Sequence, residues 1–264
     1  MKKLLALVLM VSSAAVFADG NAFPPIPSAP VVAHRGFSGI KPENTLAAFR
    51  AAVEVGAGGA ECDIRRASDG VIYIMHDGNF NRTAGHDIPA GTIPYSEIEA
   101  FDAGEGEKIP TLESYLTLLK GTATRPIIEV KEDGFEEQLV EMIRAFELEK
   151  TAVVIDFSAA RVKKVRELAP EICCAWLCSF NSETPEDEIA EKIISTLKDC
   201  NTNVVDMQFG RATPTLVRKL NEAGISVWCW TVDNPEDIQR LYDMGVDSVT
   251  TDFPDRALEC YRKK

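Results

Sequence analysis

The sequence predicts an α/β fold, a (β/α)8 TIM barrel with a β-hairpin extension after its second strand and a loop-rich insertion. Three observations predict it. Eight short apolar runs alternate in order with amphipathic helical segments. Three of those helical segments open on a proline just after a capping residue (Thr184 and Pro185, Thr213 and Pro214, Asn234 and Pro235), and two stop at Gly224 and Gly245 immediately before the next strand. The 264-residue chain less an 18-residue leader leaves 246, near the ~250 residues typical of such a barrel. A doubly wound open sheet is the alternative, but no glycine-rich phosphate loop follows the first strand.

Residues 1–18 carry Lys2 and Lys3, an apolar run from Leu4 to Phe17 and a small residue at Ala18, the pattern of a cleaved secretory signal. The run is shorter than the ~20 residues of a membrane span and contains Ser12 and Ser13. No cysteine follows it, so no stable membrane anchor is predicted. The expected location is export, periplasmic or secreted. Loss of the two lysines takes the formal charge from −13 to −15, which argues against nucleic acid or an anionic bilayer as partner and requires a local cationic pocket for any anionic substrate. Seven cysteines, an odd number, leave at least one thiol unpaired unless chains cross-link. Alternation turns Cys62 and Cys229 toward the helix-covered side as buried thiols, and Cys200 and Cys260, near helix ends, are the better disulfide candidates. Nothing in the sequence sets the oligomeric state.

Residues 19–30 form a proline-rich lead-in, and 31–264 form one barrel domain. The first strand, 31–34, is followed by a helix after Pro42 with Asn44 or Thr45 as N-cap, Leu46, Phe49 and Val53 on the inner face and Gly56 as terminator. Strand two, 60–64, continues into a hairpin. Residues 77–110 are rich in Gly and Pro and form the insertion, a lid or substrate wall; a helix resumes at 111–119. Strands follow at 126–130, 152–156, 172–177, 203–207, 226–231 and 246–250. Helical apolar spacing between them is read at Phe135, Leu139, Ile143 and Phe146, at Ile189, Ile193 and Leu197, at Leu216 and Leu220, and at Ile238 and Leu241.

Side chains at the C-terminal ends of barrel strands form the active site. Strand one then delivers His34 and Arg35, strand two Glu61 and Asp63, strand three Glu129 and Lys131, and strand seven Trp230 as a substrate wall, with Trp228 deeper in the core. Asp69 and Gly70 read as a two-residue turn. If it pairs Ser68 with Val71, positions summing to 139 oppose one another, so Asp63 faces His76. Three close carboxylates raise one another's proton affinity. A hard divalent cation, Ca2+ or Mg2+, is the simplest remedy. Two histidines beside it suit general base and general acid work, and Arg35 and Lys131 suit a phosphate. His86 has no such company and reads as a solvated loop residue. Glu43 and Asn44 lie between two roles, helix start and support of the site, with helix start ahead.

The segments HRG at 34–36, PENT at 42–45, ECD at 61–63, DG at 69–70, HD at 76–77, RT at 82–83, IPTLE at 109–113, IEVK at 128–131 and WTV at 230–232 together resemble the glycerophosphodiester phosphodiesterase family over nearly the whole mature chain. The resemblance implies a metal-dependent barrel enzyme that hydrolyses glycerophosphodiesters to glycerol 3-phosphate and an alcohol. It implies His34 and His76 as the acid/base pair, Glu61, Asp63 and Glu129 as metal ligands, and Arg35 and Lys131 as phosphate contacts. Asp156 departs from the family pattern, which has Ser before Phe here, and is expected to alter the alcohol side of the pocket. Two competing readings are a related phosphodiesterase acting on a lysophospholipid or intact phospholipid, and a polyol-phosphate binding protein without turnover.

Overall fold

Eight parallel strands close into a barrel in the computed structural model, which describes residues 23–263. The predicted leader lies outside the described residues. The strands are β1 (Val31–Ala33), β2 (Gly59–Arg66), β3 (Ile72–Ile74), β4 (Arg125–Val130), β5 (Val153–Asp156), β6 (Cys173–Cys178), β7 (Val204–Gln208), β8 (Ser226–Trp230) and β9 (Ser248–Thr251). The helices are α1 (Leu46–Val55), α2 (Asn81–Ala84), α3 (Tyr95–Ile98), α4 (Leu112–Leu119), α5 (Glu136–Ala145), α6 (Ala159–Leu168), α7 (Glu186–Asp199), α8 (Pro214–Glu222), α9 (Pro235–Asp243) and α10 (Pro254–Tyr261). Strand β1 pairs in parallel with both β2 and β9, which closes the ring, and β3 lies antiparallel on the outer edge of β2.

Two layers of apolar side chains hold the barrel. Val32, Ile127, Val153, Ile155, Ala175, Val204 and Trp228 pack inside it, while the opposite faces of the same strands, including Cys62 and Cys229, pack under the helices as alternation predicts. Burying Trp228 alone is worth roughly 1.5–3 kcal/mol. Tyr115 of α4 ties two strands together: its hydroxyl donates to Ala60 O (2.6 Å) and accepts from Ile127 N (3.2 Å). At the lower rim the lead-in is pinned by Ser248 Oγ donating to Ala29 O and Tyr242 OH donating to Pro30 O.

The local signals mostly act as expected. Thr45, Thr111, Thr213 and Asn234 cap their helices through their side chains, and Gly56 ends α1 at φ +81°. Helix α7 differs, because Pro185 itself occupies the cap position and Thr184 makes no cap bond. Helix α6 has no counterpart in the sequence reading. Its buried apolar stripe is only Val162 and Val165, too short a pattern to stand out among its charges, and it is anchored instead by Arg166 donating to Asn201 O, Pro170 O and Ile172 O. The C-terminal helix α10, opened by Pro254, likewise goes beyond the elements that the sequence predicts. All seven cysteines are free and buried. Cys200 and Cys260, the expected disulfide candidates, donate instead to separate backbone carbonyls, Ala159 O and Pro235 O.

The hairpin corrects one expectation. The ladder pairs Ile64 with Ile74, Arg65 with Tyr73 and Arg66 with Ile72, one residue away from the expected register, so Asp63 lies opposite Met75. The turn has three residues rather than two. Ala67 N donates to Val71 O (2.8 Å), Gly70 N donates to Ala67 O (2.9 Å), and Gly70 takes φ +90° as the left-handed residue of a three-residue loop. The insertion after β3 is a folded wall with its own small core: Tyr73, Met75, Phe80, Ile98 and Ile109 are buried together, and the Phe80 ring stacks on Tyr73 and meets Phe101 edge-on.

Candidate active site

His34, Arg35, Glu61, His76, Glu129, Lys131 and Trp230 line one cavity of about 160 Å³ at the C-terminal mouth of the barrel. Asp63, 1 % exposed, lies directly beneath. His76 reaches the cavity although it does not stand opposite Asp63 in the hairpin. The ladder ends at Ile74, the chain bends away after Met75, and Arg65 Nη2 donates to His76 O (2.8 Å) to fix the departing backbone. Strand alternation no longer applies past that point.

The β1–α1 loop folds against the acids. Arg35 adopts φ +55°, uncommon for a side chain larger than glycine, and its backbone N–H donates to Glu61 Oε2 (2.8 Å). Asn44, also left-handed at φ +59°, donates from Nδ2 to Asp63 Oδ2 (2.8 Å). Asn44 therefore supports the site and leaves the helix cap to Thr45. Glu43 does the same, accepting from Arg35 Nη1 (2.9 Å) and from both terminal nitrogens of Arg82. Arg82 also grips Asp77 (2.6 Å from Nε), and Asp77 Oδ1 lies 2.7 Å from His76 Nδ1. A continuous charged chain thus runs from Arg35 through Glu43, Arg82 and Asp77 to His76.

One carboxyl oxygen each of Glu61, Asp63 and Glu129 lies within 4.8 Å of the others. Glu61 Oε1 and Asp63 Oδ1 are buried without a hydrogen-bond partner. Lys131 Nζ bonds Glu129 Oε1 (2.6 Å) and approaches Asp63 Oδ1 at 3.3 Å without hydrogen-bond geometry; Arg35 Nε is 3.5 Å from Asp63 Oδ2. Burial, then Asp63, pushes Glu129 up to about 7, and burial with Asp63 and Glu129 raises Glu61 well above the carboxylate range. Burial would raise Asp63 as well, but Lys131 and Arg35 outweigh it and hold it low. Three oxygen-donor acids with two orphaned oxygens fit a hard divalent cation. In this arrangement Arg35 and Lys131 pair with carboxylates.

Each histidine presents Nδ1 to a carboxylate, since His34 Nδ1 lies 2.7 Å from Asp252 Oδ1. An ionised carboxylate only accepts, so Nδ1 carries the proton and Nε2 is the free nitrogen of each ring. Burial outweighs its carboxylate neighbours and lowers His76, with Arg35 and Lys131 acting in the same direction. The far wall is apolar and aromatic: Ile155, Leu177, and Phe157 set edge-on to Trp230 at 5.4 Å, with Trp230 Nε1 donating to Asp206 O (3.1 Å). Asp156 points away from this wall. Arg161 grips both its oxygens and Ser158 N donates to it, so the expected effect on the alcohol side has no structural basis. His86 is exposed and stacks on Phe101, apart from the site.

Sequence reasoning gave no role to Asp77, Arg82, Asp206 or Asp252, although Asp77 and Arg82 stand in the HD and RT segments that carry the family resemblance. For Asp77 a signal existed, its adjacency to His76. Asp206 lies in a run that reads as a plain buried strand, and nothing in the sequence marks it.

The sequence model of the glycerophosphoryl diester phosphodiesterase family matches residues 34–256. A glycerophosphodiester phosphodiesterase from Caldanaerobacter subterraneus subsp. tengcongensis is 30% identical over 245 residues, covering 88% of this chain and 98% of that protein. One from Bacillus altitudinis is 31% identical over 242 residues, 87% of this chain and 96% of that protein. Among solved structures, an Oleispira antarctica phosphodiesterase in complex with the product sn-glycerol-3-phosphate is similar at a TM-score of 0.78 and 25% identity, over 88% of this chain and 96% of that one.

Proposed function

The chain belongs to the glycerophosphoryl diester phosphodiesterase family, and on that premise we propose that it hydrolyses glycerophosphodiesters to sn-glycerol 3-phosphate and an alcohol, with His34 and His76 moving the protons. The observation that carries the reading is the arrangement of the two imidazoles. Each has Nδ1 tied to a carboxylate, and both line one small cavity with two cations and two of the three clustered acids, Glu61 and Glu129. Glu61, Asp63 and Glu129 would hold a divalent cation, Ca2+ or Mg2+. When bound, the cation neutralises charge on the phosphate and polarises its oxygens.

Arg35 and Lys131 bind the phosphate oxygens by charge-assisted hydrogen bonds. His76, kept neutral by burial, takes the proton of the glycerol 2-hydroxyl at Nε2. The freed oxygen attacks phosphorus, the bond from phosphorus to the alcohol oxygen breaks, and protonated His34 gives its Nε2 proton to the departing alkoxide. Water then opens the cyclic phosphate with the roles reversed: His34 takes the water proton, and His76 returns one to the 2-oxygen. Trp230 supplies a wall that keeps water from the reacting face.

The test incubates the purified chain with Ca2+ or Mg2+ and offers glycerophosphocholine, lysophosphatidylcholine and phosphatidylcholine side by side, with free choline as the common readout and glycerol 3-phosphate as the second product of the deacylated diester. Release from the deacylated diester is expected. The exposed Phe157 at the mouth favours a second reading, a substrate carrying an acyl chain such as a lysophospholipid, and faster choline release from that substrate would select it. His34→Ala and His76→Ala should each slow turnover about 10²- to 10⁴-fold; full activity in both ends the proposal. The leader-like residues 1–18 support export, periplasmic or secreted, which cell fractionation checks.

A further inference from the structure

Strand β7 carries an acid that the scheme above leaves idle. Asp206 is 1 % exposed, projects from the inner face of the barrel beside Val204, and sits in register between Leu177 of β6 and Trp228 of β8. Its side chain lines the same cavity as the two histidines, on the wall across from β1 and β2. Oδ1 has no hydrogen-bond partner, and no ion pair among the described residues includes this carboxyl. A carboxyl held out of water without a donor is unfavourable, and a site built to bond a substrate hydroxyl has such an unmatched group when the substrate is absent.

The position selects the ligand group. Every glycerophosphodiester shares the glycerol phosphate, whereas the alcohol varies. The shared part belongs in the closed end of the cavity and the variable part at the open mouth, where Phe157 is 46 % exposed. With the phosphate on Arg35 and Lys131 and the 2-hydroxyl on His76, one polar group of the glycerol is unassigned, the terminal hydroxyl. Ile155 and Leu177 offer apolar contact to its carbon atoms.

We propose that Asp206 is a specificity-determining residue that binds the terminal hydroxyl of the glycerol moiety, on the wall facing the phosphate-binding cations. The inference rests on the function proposed above. A carboxyl accepts from a hydroxyl when ionised and also donates to it when protonated, so the two match in either state.

The test compares three ligands by calorimetry on the full chain with Ca2+ present: sn-glycerol 3-phosphate, propane-1,2-diol 1-phosphate, which lacks the terminal hydroxyl, and inorganic phosphate. The native chain should bind glycerol phosphate about tenfold or more tightly than the deoxy analogue, a gap that closes in Asp206→Leu, narrows less in Asp206→Asn, and leaves inorganic phosphate within about twofold throughout. An equal affinity of the native chain for the first two ligands overturns the proposal without any variant. So does an Asp206→Leu protein that keeps the preference, or one that loses phosphate in parallel. If Asp206→Leu does not fold, judged by thermal unfolding, the ligand pair on the native chain and on Asp206→Asn decides. Failure of the native chain to release glycerol 3-phosphate from any glycerophosphodiester would instead sink the underlying function, and it is seen before the ligands are compared.

Discussion

His34 Nδ1 and Asp252 Oδ1 lie 2.7 Å apart across 218 residues of chain, brought together by the parallel pairing of β1 with β9. Ser38 Oγ donates to the same carboxylate oxygen (2.9 Å). Burial would raise the Asp252 carboxyl, but the His34 ring and the Ser38 hydroxyl hold it below its ordinary value. The carboxylate fixes which ring nitrogen bears the proton. Asp252→Asn presents an amide that can also donate, so the wrong tautomer becomes accessible. We expect turnover to fall about 10²- to 10⁴-fold with KM little changed. An unaltered kcat in a folded variant would show that the contact has no catalytic consequence.

As the proposed base, His76 should set the acid limb of the rate profile. Its pKa lies below the ordinary 6.5, and a base must be neutral, so activity is complete above that value and is lost as pH falls through the lowered one. A bound divalent cation adds positive charge and moves the limb further in the same direction. The kcat/KM profile should therefore break below pH 6.5 on its acid side. A break above pH 7 would assign the limb to another group.

Removal of divalent cations with a chelator should abolish turnover without unfolding the chain, because apolar clusters on both faces of the strands hold the barrel together and Lys131 and Arg35 already lie beside the acids. Added Ca2+ or Mg2+ should restore activity and raise the melting temperature, since a ligand bound only by the folded state stabilises it by about 2.7 kcal/mol at a hundred times its Kd. Glu61→Gln and Asp63→Asn should blunt that rise. An equal shift in these variants would place the ion elsewhere.

Gly36 follows Arg35 at φ +79°, and a Cβ there would sit 2.6 Å from the Ala48 carbonyl carbon. Its N–H donates to Glu61 O (3.2 Å), so the loop that aims Arg35 depends on that close approach. Gly36→Ala should destabilise the protein by about 1–3 kcal/mol in urea unfolding and raise KM for substrate. Native stability in this variant would mean that the loop repacks freely.

The barrel was legible because its signals are local: Thr213 before Pro214, Asn234 before Pro235, and Gly245 before the final strand each act through their own turn of backbone. The cavity-lining residues read from the strand ends were legible because barrel strands deliver their C-terminal side chains to one mouth. What failed depended on individual polar contacts rather than on an apolar pattern, several of them between segments distant in sequence. The Asp69 and Gly70 pair looked like a two-residue turn, but Ser68 N donates to Ile93 O and Tyr95 N donates to Asp69 Oδ2, so the insertion takes part in the loop. Helix α6 is held by Arg166 and Asp156 pairs with Arg161, contacts that leave little hydrophobic trace. Asp206 and Asp252 acquire their meaning only when the ring closes.

All seven thiols are buried, and none is paired with another. Folding of this chain therefore calls for no oxidant or disulfide isomerase, and no thiol faces glutathione or peroxide at the surface. The same molecule should turn over at the same rate in reducing and oxidising buffers, so redox poise would not decide in which compartment it can work.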